Sequence, residues 1–321
     1  MINKIKKEID NATDIVIFAH INADADALGS SIAFKLYLDS LGKNTVIFID
    51  QPIHRNFEFL GVSKYVNQGR LKKYDLAICL DCPNVKRFGT AIRYFYKCKK
   101  SINIDHHIDN ENFAKINYVD AKFSSVSGML YNFFRKVGAN ITSEMATCLY
   151  AGISGDTGRF KHSNTTSNDL RSCANLLDNG ADIENINYNL FSRMSFNEFS
   201  LLKTALNKVE FMFDNKVACV FLSIQDLINC NCSIQDTHFI IDYLMNIDGV
   251  NLAVVLSQEK QDECKVSIRS KGNYSAQNVA KYFGGGGHIR ASGCRIFSEF
   301  NKALIDIKNA ISIEVDRCKE L

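Results

Sequence analysis

Prolines are nearly absent, two in 321 residues, and with few other breakers the chain offers no obvious flexible linker. No internal repeat and no low-complexity tract is visible. Apolar runs are short and interrupted, so none is expected to span a bilayer. The opening stretch MINKIKKEIDNATD lacks the apolar core of a signal peptide. Net charge is only +3, too mild to mark a nucleic-acid binder and no obstacle to a polyanionic substrate. A basic, aromatic-studded stretch of the kind that lines single-strand channels is also missing, which argues against a processive nuclease.

What is present is an ordinary globular balance, 46% apolar and 23% charged residues. The length exceeds what one core usually serves, so two domains are expected. Eleven cysteines form an odd, scattered set, which fits a reducing cytoplasm. Cys79 with Cys82 and Cys230 with Cys232 lack a second pair or a histidine at zinc-finger spacing, so they read as reduced thiols rather than zinc ligands.

Strand-like runs alternate with helix-period segments from the start. Strands are expected at 14–19, 45–49, 75–80 and 101–104. Helices are expected at 27–41, from Ser124 or Ser125 to 137, and from Thr142 or Ser143 to 153. That alternation implies a parallel sheet. A helix over 196–209 leads out of the first domain. Beyond it come strands at 217–222, 252–257 and 264–269 and helices at 235–245, 276–283 and 302–315. The fold class is therefore α/β, with an N-terminal parallel-sheet domain and a smaller C-terminal α/β domain.

Acids and histidines cluster where these elements end. DIVIFA runs into His20, Asn22, Asp24 and Asp26; LAICL ends in Asp81; SINI ends in Asp105, His106 and His107; and the helix near Ser154 delivers Asp156. In an open parallel sheet, residues just past the strand ends converge in one crevice. Several carboxylates brought together raise one another's pKa, and divalent cations relieve that repulsion. Two-metal hydrolysis at phosphorus follows, and mixed imidazole and carboxylate donors suit Mn²⁺, with Mg²⁺ or Co²⁺ as substitutes. Any one of these residues alone reads as a helix cap or an ordinary core side chain; the joint pattern does not.

HINADAD, Asp81 after LAICL, the literal IDHH and GDTG resemble the four motifs of the DHH phosphoesterase family. Gly284 to Gly287 with His288, followed by Ala291, Ser292 and Gly293, is similar to the signature of the DHH-associated C-terminal domain. The segment GDTGRFKHSNTT points to the nanoRNase and 3′-phosphoadenosine 5′-phosphate phosphatase type within that family. The resemblance implies a catalytic domain over 1–190, a connecting helix over 191–212 and a substrate-binding domain over 213–321, with the active site in the cleft between the two domains.

It also implies that His20, Asp24 and Asp81 bind one metal and Asp26, Asp81, His106 and Asp156 the other, with Asp81 bridging. His107 would protonate the leaving oxygen or contact the scissile phosphate, and Asp105 would brace it. Asn22, Arg269, Gly285, Gly286, Gly287 and His288 would bind substrate. Glycines let backbone N–H groups approach an anion, and arginine adds a permanently charged fork. The implied substrates are very short RNA and 3′-phosphoadenosine 5′-phosphate, with cyclic di-AMP or linear pApA as the alternative and a homodimer as a candidate assembly. One departure stands out: Ala23 occupies the place where the family usually has proline.

Overall fold

The computed structural model describes residues 1–69 and 73–319. They divide into two compact units, Met1–Arg193 and Met194–Leu321. Among the described residues no helix is long and apolar enough to cross a membrane.

The first unit holds strands β1 (Asp14–Phe18), β2 (Asn44–Phe48), β3 (Leu76–Leu80), β4 (Lys100–Asp105) and β5 (Ile116–Val119). They pair in the order β2-β1-β3-β4-β5, parallel throughout. A parallel sheet is covered on both faces, which is why LAICL of β3 is buried at every position. Alternate residues then feed two cores. Ile15, Ile17, Ile78 and Leu80 join the larger one, and Val16, Phe18, Ala77 and Cys79 pack against Phe88 and Phe95 on the other side.

Its helices are α1 (Ile2–Asn11), α2 (Ala25–Ser40), the single turns α3 (Val62–Tyr65) and α4 (Ile92–Phe95), α5 (Val126–Val137), α6 (Ser143–Asp156), α7 (Ser167–Asp178) and α8 (Ile183–Asn187). Helix α2 is buried at twelve positions, Ala25 to Phe34 with Tyr37 and Leu38, and packs tightly on α6. Glycines permit that approach: a Cβ on Gly29 would lie 2.2 Å from the Cys148 carbonyl, and one on Gly152 would lie 2.6 Å from an Asp26 carboxylate oxygen. Helix α1 and strand β5 went unread in the sequence. The first has a polar surface that masks Ile5 and Ile9, and the second is only four residues long.

The second unit contains α9 (Phe196–Asn207), β6 (Glu210–Met212), β7 (Val217–Leu222), α10 (Ile224–Asn229), α11 (Ile240–Met245), β8 (Leu252–Lys260), β9 (Glu263–Ser270), α12 (Ala276–Lys281), β10 (Gly286–His288), β11 (Ala291–Ile296) and α13 (Phe300–Lys319). The sheet order is β10-β11-β9-β8-β7-β6, with only β7 and β8 parallel. One face is covered by α12 and α13. On the other, α9 to α11 pack on Ala218, Val220, Ala253 and Val255 of β7 and β8. The helix expected as a connector, α9, thus places Leu201 and Ala205 in this unit's core. The expected helix over 235–245 is broken into a tight turn at Ile234–Thr237 and α11.

Candidate metal centre

The sheet order of the first unit places its topological switch between β1 and β3, where ligands bind in open α/β sheets. His20 follows β1 by two residues and Asp81 follows β3 directly, so the two flank that point. His20 Nε2 lies 3.3 Å from Asp81 Oδ2 and 3.8 Å from Asp24 Oδ2. From β4, His106 Nε2 approaches Asp81 Oδ1 at 3.5 Å and Asp156 Oδ2 at 3.2 Å. Potential ligand atoms of His20, Asp24 and Asp81 lie within 4.8 Å of one another, as do those of Asp26, His106 and Asp156 and those of Asp81, His106 and His107.

Two of the acids are held by backbone N–H groups. Asp24 is the N-cap of α2, and its Oδ1 accepts from the N–H groups of Asp26 and Ala27, each at 3.0 Å. Asp26, fully buried, turns to another helix: its oxygens accept from Val126 and Ser127 N–H at 2.6 and 2.8 Å, at the N-terminus of α5. The partial positive charge there favours the carboxylate, and each oxygen keeps a lone pair free. Capping and ligation are therefore compatible. Asp156 ends α6. Asp81 has φ +56°, a left-handed conformation unusual for a residue with a side chain, and Asn22 in the β1–α2 turn has φ +58°. Such backbone is held in place by its surroundings and is concentrated at working sites.

The imidazoles are oriented the same way. His20 Nδ1 lies 2.7 Å from the Ile21 carbonyl and donates to it, which turns the Nε2 lone pair toward Asp81 and Asp24. His106 does likewise with Phe123, at a longer 3.4 Å. His107 Nδ1 donates to Asp105 Oδ1 at 2.8 Å. Asp105 is fully buried and also accepts from Asn110 at 2.5 Å, while Asn110 bonds the buried Asn103 at 2.8 Å. Outer partners of this kind fix the tautomer and the ring direction of a ligand.

Charge is concentrated accordingly. Burial opposes a charged His20, but Asp81 and then Asp24 raise it to about 9. His106 also reaches about 9 against its burial, through Asp81 and Asp26. Burial and then the Asp81 charge push Asp26 up to about 7. Asp156 rises well above the usual carboxylate range for the same reasons, burial first and the Asp26 charge second. Asp81 also pays desolvation, yet His106 and His20 hold it well below its ordinary value. Without a cation, imidazole protons balance the acids. The buried Asp81 Oδ1 nevertheless accepts no hydrogen bond. An oxygen left in that state costs free energy unless a cation takes its lone pair. The donors, imidazole and carboxylate without thiolate, fit a divalent ion of the Mn²⁺ or Mg²⁺ kind. The thiols at Cys79 and Cys82 are buried, and burial pushes both up, away from thiolate.

Arg87, unread in the sequence, stands beside this centre. Its carbonyl accepts from Ile21 N–H at 2.8 Å, and its guanidinium lies 3.3 Å from His20 Nδ1. That nitrogen already donates to Ile21, and among the described residues no carboxylate pairs with Arg87. Its position six residues past Asp81, in DCPNVKRFG, was the only signal.

The expected substrate residues Arg269, Gly285, Gly286, Gly287 and His288 belong to the second unit. There the glycines do not form a free N–H cradle. Gly284 and Gly285 N–H groups donate to Lys281 and Ala280, and Gly286–His288 pair with Gly293, Ser292 and Ala291 of β11 as an edge strand. The glycines serve close approach instead, since a Cβ on Gly285 would sit 2.4 Å from Cys294 Cβ. His288 remains exposed.

A parallel sheet gathering imidazoles and carboxylates at its switch point, joined to a second mixed-sheet unit, is the arrangement of a phosphoesterase with a site able to hold metal. The chain belongs to the DHH family: the model of the DHH family N-terminal domain matches residues 14–153 and that of the DHHA1 domain residues 214–312. It is 30% identical over 308 residues to the bifunctional oligoribonuclease and PAP phosphatase NrnA of Thermus thermophilus, covering 94% of this chain and 90% of that one. The NrnA of Bacillus subtilis is 29% identical over 308 residues, covering 92% and 93%. An exopolyphosphatase-related protein from Bacteroides fragilis has the same fold, with a TM-score of 0.91, 24% identity and coverage of 97% and 95%. Thermus thermophilus RecJ, solved with Mn²⁺, shares it more distantly, with a TM-score of 0.54, 14% identity and coverage of 98% of this chain and 54% of that one.

Proposed function

We propose that the protein hydrolyses phosphate esters of very short oligoribonucleotides and of 3′-phosphoadenosine 5′-phosphate at a centre holding two divalent cations, Mn²⁺ first among them. The division of Asp81 carries the two-ion reading: Oδ2 faces His20, while the unsatisfied Oδ1 faces His106. His20, Asp24 and Asp81 would hold one ion and Asp26, Asp81, His106 and Asp156 the other. Ions so placed lower the pKa of an attacking water and offset charge on the phosphoryl oxygens. The substrate pair follows the two NrnA relatives, aligned over 90% or more of each chain.

His107 acts on the leaving oxygen. With Nδ1 committed to Asp105, its Nε2 is the nitrogen left to hold and deliver a proton. Burial works against that charge, and the hydrogen bond to Asp105 and then the Asp81 charge raise the imidazole above its ordinary value. Arg87, which pairs with no carboxylate among the described residues, offers its guanidinium to a non-bridging oxygen of the same phosphate. Arg269 and the exposed His288 bind a second phosphate of the substrate, with the edge strand Gly286–His288 beside it. Asn22 holds the metal-side turn open to the substrate.

The test is turnover with Mn²⁺ on labelled RNAs of two to twenty-four nucleotides, alongside 3′-phosphoadenosine 5′-phosphate and cyclic di-AMP. Faster cleavage of di- to pentanucleotides and of the mononucleotide is expected. A preference for long RNA, or for cyclic di-AMP over both, overturns the reading.

A further inference from the structure

The carboxyl edge of the first unit's sheet carries an acid that the metal centre does not use. Register pairs Phe18 of β1 with Phe48 of β2, so His20 and Asp50 stand at matching places, two residues past the ends of their strands. His20 turns to Asp24 and Asp81. Among the described residues Asp50 joins none of the groups of acids and imidazoles that could share an ion. Its carboxylate takes hold of another loop instead. Oδ2 accepts from the Thr90 N–H at 2.5 Å, and Oδ1 accepts from the Thr90 hydroxyl at 2.6 Å. Hydrogen bonds to an ionised group are roughly twice as strong as neutral ones, and here two of them fix the backbone and the side chain of one residue at once.

The neighbouring Gly89 is fitted to this clamp. Its φ of +58° and ψ of −135° form a conformation that residues with a Cβ rarely adopt, and a Cβ built there would run into Asp50 Oδ2. Arg87 lies two residues earlier in the same segment. Asn84 fixes the start of that segment: its side chain accepts from Lys86 N–H at 3.1 Å and its carbonyl from Arg87 N–H at 3.3 Å. Phe88 anchors the middle, buried with its ring centre 5.3 Å from that of Phe18. The Arg87 carbonyl accepts from Ile21 N–H, which ties the segment to the turn that carries His20. Asp50 closes the far end.

We propose that Asp50 is the positioning residue of Arg87: its grip on Gly89 and Thr90 holds the guanidinium beside His20, ready for a substrate phosphate. A guanidinium on a long side chain contributes most when its donors are set in advance, because a misplacement of about 1 Å can cost on the order of a hundredfold in rate. Strand β2, to which no ligand or acid–base group was assigned, thereby acts on the reaction through Arg87. This inference rests on the reading of Arg87 as a phosphate contact.

The experiment compares the full chain with Asp50→Ala, Gly89→Ala, Arg87→Ala and the double variant Asp50→Ala/Arg87→Ala, with Mn²⁺ and 3′-phosphoadenosine 5′-phosphate. Asp50→Ala deletes the clamp, whereas Gly89→Ala keeps every polar group and displaces it. Each is expected to lower kcat/KM about tenfold, the scale of one charge-assisted contact, with Mn²⁺ affinity by titration calorimetry within about twofold of wild type. Adding Asp50→Ala to Arg87→Ala should cost nothing further, a non-additivity that independent structural damage does not produce. The placement of Arg87 is read separately from its side-chain Nε–H signal in nitrogen-15 NMR of the Mg²⁺-loaded protein, identified by its loss in Arg87→Ala. That signal should shift in Asp50→Ala and in Gly89→Ala. Losses that multiply in the double variant, Mn²⁺ affinity that falls in step with turnover, or an unmoved Arg87 signal overturn the proposal. If the signal shifts while Arg87→Ala turns over like wild type, or wild type hydrolyses no 3′-phosphoadenosine 5′-phosphate, the functional reading falls and Asp50 remains the residue that places Arg87.

Discussion

The two sheets of this protein place polar residues in opposite ways. In the first unit every strand is parallel, so all carboxyl ends leave at one edge and the acids and imidazoles gather there: His20 after β1, Asp81 after β3, and Asp105, His106 and His107 at the end of β4. Strand ends concentrate charge in one place, and the result is a buried cluster with strongly displaced pKa values. In the second unit antiparallel strands display alternate residues across a face, spaced along β9 and half open to solvent. That arrangement distributes cations instead of concentrating them.

The largest expected effect tests concentration at the strand ends. Asp81→Asn should abolish turnover and the binding of Mn²⁺ together, well beyond the roughly 10- to 100-fold typical of an outer partner; titration calorimetry and kinetics check it. Gly152→Val should come next, because its side chain would collide with Ser127 Oγ and Asp26 Oδ1. Overpacking costs of about 1–3 kcal/mol are usual, so urea melts should shift, and metal affinity should fall with them if Asp26 depends on the contact between α2 and α6.

Arg269→Ala should raise KM about tenfold or more while kcat and Mn²⁺ affinity hold, the signature of a phosphate contact outside the reacting centre. An equal fall in kcat would erase the contrast drawn between the two sheets.

The smallest effect is on stability against pH. His20 and His106 sit near 9 in the fold against an ordinary 6.5, so they stabilise the metal-free protein below about pH 6.5, and that contribution is lost as pH rises through 9. Asp26, raised to about 7 from 3.8, costs stability as it ionises across that interval, in the same direction. Melting temperature in EDTA should decline from pH 6 to pH 9, and Mn²⁺ should raise it more at pH 8.5 than at pH 6, because ligands must shed protons to bind.

Much of the first unit was legible because parallel strands are continuous apolar runs and the residues that end them are polar: LAICL before Asp81 and SINI before Asp105 need no partner to be recognised. Strands β10 and β11 were not legible, since their glycines read as a loop and become strand only through pairing, β11 with β9 and β10 with β11. The same holds for Arg87 and for Gly152, whose importance lies in what they approach.

Sequence by itself determined the α/β class, the elements that carry the acids and histidines, and the motifs that mark a DHH phosphoesterase, because local periodicity and strand-end polarity are properties of neighbouring residues. Only the tertiary structure decided that Asp26 both caps α5 and faces His106 and Asp156, that Asp81 divides its two oxygens, and that the glycine segment is an edge strand. Those facts depend on which distant segments pack together, and packing is settled by shape and buried charge across the whole fold rather than along the chain.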